Sequence, residues 1–329
     1  MKIYYLILKI LYLQGAEMNS KYQKLTFEKV KTYSIKKRYS KVNFKDFARP
    51  VSSDDSLKKF VEALPEILIG KEFKEFIALY RRALSGKKYI IWMLGAHTIK
   101  CGLNPIIIQL MKKGYLSHLA LNGAGAIHDV EIARWGTTSE DVAAGLQDGS
   151  FGMVKETAHF INEAVSRNAG NDLGYAEILA RELINQKSAN LKLSLLANAY
   201  RLDIPVSLHP AIGTEIIHQH PNLNGPAFGE KSLLDFQLFT HSVSQLRRGG
   251  IVLNIGSAVI LPEVFLKALT VARNLKYPVN GFYTAVFDMI RHYRPTVNVV
   301  QRPTQVSGKG FYFLGQHEIM IPLLAAAIQ

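Results

Sequence analysis

Polar residues, at four places joined by glycine, recur at five places in this chain, each directly after a short apolar run. They are Gly95-Ala96-His97-Thr98-Ile99-Lys100-Cys101-Gly102, Asn122-Gly123-Ala124-Gly125-Ala126-Ile127-His128-Asp129, His209-Pro210-Ala211-Ile212-Gly213-Thr214, Gly256-Ser257-Ala258 and Phe287-Asp288; four of the five contain glycine beside a polar group. Glycine lets backbone N–H groups approach a phosphate closely, which points to a nucleotide. Gly123-Ala124-Gly125 opens like a dinucleotide fingerprint, but His128 stands where the third glycine belongs, so the full pattern fails. His128-Asp129-x-Glu131 offers an acid/base set, and an imidazole titrating near neutrality suits His128 to moving protons. In a desolvated pocket Lys100 could lose its proton and act as nucleophile or base; beside Asp129 or Glu131 it would stay charged and bind an anion. Cys101 reads as a packing residue. Neither a metalloprotease helix motif, a serine nucleophile elbow nor a P-loop is present, and no metal site is expected.

The elements that must position these residues follow from apolar patterning. Tyr89–Leu94, Tyr115–Leu121, Ile204–Leu208, Ile251–Ile255, Gly281–Val286 and Phe311–Leu314 are continuous apolar runs of strand length, as strands buried on both faces require. Between them lie helical patterns: one over Leu57–Leu64 capped by Ser52–Asp55, one over Phe73–Leu84 closed by Gly86, and one from Pro105 to Gly114. A long helical stretch covers Thr138–Arg201, broken at Gly149 and near Gly170, and further helices span Leu233–Leu246 and Pro262–Leu275. An apolar C-terminal helix follows, with Glu318 in its first turn. Strand alternating with helix predicts an α/β fold: a Rossmann-like parallel sheet with helices on both faces. Ligands of such sheets bind beyond the carboxyl ends of the strands, where these five segments fall, four of them glycine-bearing.

Composition narrows the class. The chain has 329 residues, 48% of them apolar and 20% charged, and a single cysteine, so disorder and a disulfide scaffold are excluded and a reducing, cytoplasmic setting is expected. No uninterrupted apolar run is long enough to span a membrane. The net charge is +14, but residues 1–50 hold 12 Lys/Arg against 3 Asp/Glu (+9), leaving 28 against 23 (+5) for the remainder. Residues 1–50 are therefore read as a basic arm and 51–329 as a single α/β domain. Lys36-Lys37-Arg38 invites a nucleic-acid reading, but no recognition motif accompanies it, and such a run is more often a solvated arm. Lys2 followed by Ile3–Leu13 imitates a signal peptide; Lys9 interrupts it and Gln14-Gly15-Ala16 makes a poor cleavage site, which favours an over-long start or a frayed end.

The same segments resemble the deoxyhypusine synthase superfamily. Its thr-ala-gly-gly-x-glu-glu-asp run is similar to Asn122–Asp129, with Gly125 and Asp129 matching; Ile204-Pro205-Val206 with Pro210-Ala211, Gly250–Leu253, and Thr284-Ala285 with Phe287-Asp288 are similar to three further motifs, in the family's order across residues 88–290. Gly125–Glu131 and Gly136-Thr137 look closer still to the C-terminal domain of the NAD-dependent ornithine cyclodeaminases, which carries asn-ala-x-ala-val-his-asp-ile-glu…gly-thr. The resemblance implies NAD as cofactor, a homo-oligomer, and an amine or amino acid substrate oxidised through an imine, in a transferase or cyclodeaminase type of reaction. The expected site then has His128, Lys100 and Glu131 as catalytic residues. Gly95, His97, Asn122, Gly123, Ala124, Gly125, Asp129, Gly256, Ser257 and Asp288 would bind cofactor, and His209, Arg291 and Arg294 substrate. One departure matters. Where deoxyhypusine synthase has a lysine that holds the aminobutyl group, Gly256–Glu263 has none, and Arg291 and Arg294 suit a carboxylate better than a polyamine. Alternatives from other classes are a non-catalytic nucleotide-binding protein and a metal-dependent hydrolase.

Overall fold

Among the described residues, six apolar segments form strands: β1 (Ile90–Leu94), β2 (His118–Asn122), β3 (Val206–His209), β4 (Ile251–Ile255), β5 (Tyr283–Asp288) and β6 (Lys309–Leu314). Every pairing is parallel and the order across the sheet is β3-β2-β1-β4-β5-β6, so the expected Rossmann-like α/β sheet is present, its order reversing between β1 and β4. The computed structural model describes residues 20–329; the leader-like residues 1–16 lie outside the described residues. The chain divides into one unit ending at Phe44 and a second covering Lys45–Gln329. In the first, Ile35–Lys37 forms a tight 3-10 turn whose Ser34 side chain accepts from the Lys36 N–H. The second begins six residues before the expected boundary: the Asp46 carbonyl accepts from Glu66 N, and Arg49 N donates to Ala63 O.

The helices are α1 (Leu57–Ala63), α2 (Leu68–Ser85), α3 (His97–Lys100), α4 (Asn104–Lys112), α5 (Gly123–Trp135), α6 (Val142–Asp148), α7 (Lys155–Arg167), α8 (Tyr175–Asn185), α9 (Leu195–Arg201), α10 (Gly225–Ser244), α11 (Ile260–Asn274) and α12 (His317–Ile328). The long stretch expected over Thr138–Arg201 is thus four helices, the first ended by Gly149 in the left-handed conformation. α10 starts eight residues before the expected Leu233, because Asn224 caps it by accepting from Ala227 N and Pro226 fits its first turn. Alternation along the strands divides the core. Trp92 and Leu94 face Phe76, Ile127 and Phe287, whereas Ile91 and Met93 face Phe239, Val243 and Phe265 of α10 and α11. Trp92 Nε1 donates to Tyr80 Oη at 2.9 Å, and that hydroxyl donates to Tyr115 O at 2.7 Å, so the largest buried side chain leaves no donor without a partner.

On the α10 face a polar chain crosses the core. His209 Nε2, Ser207 Oγ and His118 Nε2 follow one another at 2.9 Å, and His118 Nδ1 reaches Ser242 Oγ at 2.8 Å, which meets Tyr89 Oη at 3.1 Å. Burial pushes both imidazoles from 6.5 down to about 3, with further lowering of His118 by His209 and His241. These rings are therefore neutral and depend on the serine hydroxyls. The unfolded chain binds protons on both histidines below pH 6.5 and the folded chain does not until about pH 3. Their contribution is therefore complete above pH 6.5 and is lost as the pH falls from there toward 3. Ser207→Val, which leaves both imidazoles without their shared partner, should cost about 2–5 kcal/mol at neutral pH, read from urea unfolding midpoints; a cost below 1 kcal/mol would mean the chain is not holding β2 to β3.

Candidate functional site

β2 runs into α5 without an intervening residue. Asn122 ends the strand and caps the helix, its Oδ1 accepting from Gly125 N at 3.0 Å, so the head of α5 stands at the carboxyl edge of the sheet. Beside it lies a cavity of about 230 Å³ bordered by Lys100, Ala124, His128, Glu131, Glu140 and Glu215, with Ile127, Val142, Phe151 and Ile216 as apolar wall. A second, wider cleft of about 490 Å³ adjoins it through Glu131, Ser139 and Glu140. The structure thus brings Lys100, His128 and Glu131 to one cavity. Lys100, at the end of α3, is exposed there, whereas His128 and Glu131 are largely buried.

The α5 register sets the chemistry. His128 and Glu131 lie three residues apart on one face. Glu131 accepts from Thr138 Oγ1 at one oxygen and from Thr157 Oγ1, at 2.9 Å, at the other. Burial opposes ionisation of this carboxyl, but hydrogen bonds linking it with His128, Thr138 and Thr157 outweigh burial and hold it below its usual value. Thr138 has one proton and gives it to Glu131, so at 2.6 Å its oxygen accepts from His128 Nδ1–H. In the neutral ring, that assignment leaves His128 Nε2 with the lone pair. The chain Glu131–Thr138–His128 therefore orients an imidazole as a proton acceptor, much as a carboxylate does in hydrolytic triads.

Glu215 went unnoticed in the sequence. It sits in the turn after β3, and its carboxyl atoms lie 1.9–2.2 Å from where a Cβ on Gly123 would be, so any side chain at that helix position would force the carboxyl aside. Its Oε1 accepts from Ala211 N at 3.2 Å, and its Oε2 makes no hydrogen bond among the described residues. Burial raises its titration to about 7, with the Ala211 bond pulling the other way. Because His218 Nδ1 accepts from Gly213 N, the His218 proton is on Nε2, 3.5 Å from Glu215 Oε2. Thr138, Thr157 and Glu140 were missed likewise; hydroxyls and carboxylates on separate helices and loops give no pattern along the chain.

Other expected residues lie elsewhere. Asp129 turns away from the cavity, one residue and about 100° round the helix from His128. It is fully buried and accepts from Ser194 Oγ (2.6 Å), Leu195 N (2.6 Å), Leu196 N (3.2 Å) and Asn104 Nδ2 (3.3 Å), so it fixes the start of α9 instead of orienting a cofactor. Gly125 faces back to the strand: a Cβ there would lie 3.2 Å from Asn122 Oδ1 and 3.3 Å from Leu121 Cβ. His209 belongs to the buried polar chain, with its ring edge on Phe239, and does not face substrate. Arg294 pairs with Glu263 at 3.2 Å and Arg291 lies over the Tyr312 ring; neither borders this cavity. Gly95, His97, Gly256, Ser257 and Asp288 form a separate group beyond β1, β4 and β5. There a Cβ on Gly95 would strike Gly256 O at 2.0 Å, Ser257 Oγ accepts from Leu261 N at the start of α11, and the rings of His97 and His317 lie 5.6 Å apart. No three His, Cys, Asp or Glu side chains among the described residues gather as a metal ion would require.

No protein-family model matches the sequence, nor does any curated protein. Solved structures match in fold. Unliganded AgrE is similar over 84% of this chain and 33% of its own, at 14% identity and a TM-score of 0.52. The ternary complex of AgrE with ornithine and NAD+ covers 84% of this chain and 34% of that one, at 14% identity and 0.50. An Entamoeba histolytica protein assigned as a deoxyhypusine synthase covers 83% and 93%, at 10% identity and 0.47. The chain thus spans about a third of the length of AgrE. AgrE, one of the two kinds of protein that the motifs resemble, is thus also similar in fold.

If Asp129 is a structural acceptor, Asp129→Asn should lose about 2–4 kcal/mol of stability by turning a donor toward the α9 amides, whereas His128→Ala on the cavity side should lose about 1 kcal/mol or less. Chemical denaturation of both variants checks this; equal losses would contradict the division of α5 into a scaffold face and a site face.

Proposed function

We propose that this chain is an NAD-dependent enzyme that oxidises an amine or amino acid through an imine, in the cavity at the head of α5. The observation that carries the reading is the Glu131–Thr138–His128 chain, which orients the imidazole at the cavity beside the head of α5. Ornithine and NAD+ occur together in the AgrE complex, whose fold is similar, and that pairing supports the substrate class proposed here. The head of α5 suits the anionic part of such a cofactor: Gly123 carries no side chain, and the space over it holds a carboxyl already. Gly123 and Ala124 would meet the cofactor by backbone, with Asn122 holding the helix cap. When bound, NAD supplies the acceptor for the hydride that leaves the carbon beside the substrate nitrogen.

The chain's own residues have defined tasks in this scheme. His128 Nε2 takes the proton that a substrate ammonium must lose before its carbon can give up hydride. Glu131, through Thr138, stabilises the imidazolium that results. Lys100 is exposed, so the burial that an imine-forming lysine needs is absent, and pairing with a substrate carboxylate is the role its position favours. Glu140 faces the same cavity and would attract a cationic amine.

NAD+ reduction by a panel of diamines and amino acids tests this. His128→Ala should lower kcat by about 100-fold or more. Lys100→Ala should raise KM for amino acids and leave amines without a carboxylate unaffected, and borohydride should trap no adduct on Lys100. Absence of NAD+ reduction across the panel would overturn the proposal. Deoxyhypusine formation from spermidine should also fail, because Gly256–Glu263 leads into α11 without a lysine; a labelled protein product would show that another amine has taken that part.

A further inference from the structure

Three buried carboxyls in this protein differ in how they are held. Asp129 accepts from four donors; Asp235 accepts from Leu208 N at 2.7 Å and Ala176 N at 2.9 Å, both at Oδ2, joining α10 to β3 and to the start of α8, while its Oδ1 is without a hydrogen bond. Glu215 is 8% exposed, yet one backbone N–H at 3.2 Å is its single hydrogen bond, and its Oε2 has none. It nevertheless lies over Gly123, the first residue of a 13-residue helix whose opening N–H groups have no intrahelical partner, Gly125 N being held by Asn122 Oδ1. Unlike Asp235 and Asp288, which also have an oxygen without a hydrogen bond, Glu215 borders the open cavity, and a carboxyl held there by one hydrogen bond beside a helix head can give way to an incoming anion.

We propose that Glu215 is a displaceable latch: its carboxyl fills the anion position at the head of α5, and a phosphate or carboxylate group enters as that side chain leaves for solvent. The inference rests on the reading that the cavity at α5 binds an anionic cofactor or substrate. Glycine at position 123 serves both occupants, since any side chain there would collide with whichever anion is present. The groups facing Glu215 are His218 from its own turn, Tyr175 from α8, Lys100 from α3 and His128 and Glu131 from α5, with Glu140 across the cavity. Burial lowers the His218 pKa, so this ring is neutral near pH 7, and burial puts Tyr175 well above its usual value. Among the groups facing the latch, Glu215 itself is the carboxyl pushed up into the neutral range.

The latch has a sign. In place, Glu215 titrates at about 7; released to water it returns toward 4.5. Release therefore sheds a proton between those values, and opening becomes easier as the pH rises from 4.5 to 7. A fixed buried charge that merely repelled anions would do the opposite, weakening them as it ionised.

The test is isothermal titration of the full chain, its Glu215→Ala variant and its Glu215→Gln variant with inorganic pyrophosphate and separately with NAD+, at about pH 5.5 and about pH 8. In the natural protein affinity should rise about tenfold or more over that interval, relative to the variants, with proton release visible in buffers of different ionisation enthalpy. Glu215→Ala should bind more tightly at pH 5.5 and lose the extra pH dependence; Glu215→Gln, an uncharged plug, should bind less tightly than Glu215→Ala and also lose it. The variant comparison removes the titration of pyrophosphate and of His128, which all three proteins share. Affinity that falls with pH relative to the variants, equal affinity in all three proteins, weaker binding by Glu215→Ala, or no anion binding by any of them would each overturn the latch. Pyrophosphate following the expected pattern while NAD+ does not bind would keep the latch and remove the NAD reading.

Discussion

The junction between β2 and α5 is the constraint on which the candidate site depends. With no residue between strand and helix, Asn122 must serve both, and the first turn of α5 is fixed in direction by the strand that precedes it. Two glycines make this tolerable for separate reasons. Gly125 allows the helix to fold back against Leu121, and Gly123 leaves room for the carboxyl from the turn after β3. A β-carbon at either place would push α5 off the sheet or empty the space at its head. Since the helix begins at a defined point, the direction of every later side chain follows from its 100° per residue.

That rotation sorts three consecutive-looking polar residues into different roles. His128 and Glu131 return to one face and meet Thr138 and Thr157, while Asp129 faces the core and receives the start of α9 together with Asn104. The two faces are mechanically linked. Asp129 ties α5 to α4 and α9, so the helix carrying the oriented imidazole cannot rotate without breaking four hydrogen bonds to a buried carboxyl. Rigid support of this kind is what a positioned acid/base group needs, because small displacements cost much of its effect.

Much of the fold was legible because buried parallel strands are continuous apolar runs, and β4 was read to the residue at Ile251–Ile255. Helix starts were less so: Asn224-Gly225-Pro226 looks like a turn in isolation and becomes the cap of α10 in place. The carboxyl edge of the sheet was legible as a place for ligands, and Lys100, Ala124, His128 and Glu131 do border one cavity there. The partners that give them chemistry were not. Thr138 and Thr157 come from a loop and a separate helix, and Glu215 from an irregular turn, so no spacing joins them to His128 along the chain. Adjacent residues misled for the opposite reason: Gly125 and Asp129 lie within the same short run as His128, yet the helix turns them inward.

Strand order alone would have pointed to the other end of the edge. The sheet reverses between β1 and β4, where open α/β proteins usually hold their ligands. Here that crevice is closed by the chain itself: the backbones after the two strands touch at Gly95 and Gly256, and the His317 ring covers Gly256, 2.8 Å from where its Cβ would be. Both glycines therefore serve contact between two loops, and the rule that glycine at a strand end signals a bound phosphate breaks down where another part of the protein makes the close approach. The same reasoning applied at Gly123 gives a different answer, since what approaches there is a carboxyl with one hydrogen bond and not a backbone fixed in the sheet. An occupant of that kind can be exchanged for a ligand; the one at Gly95 cannot without separating β1 from β4.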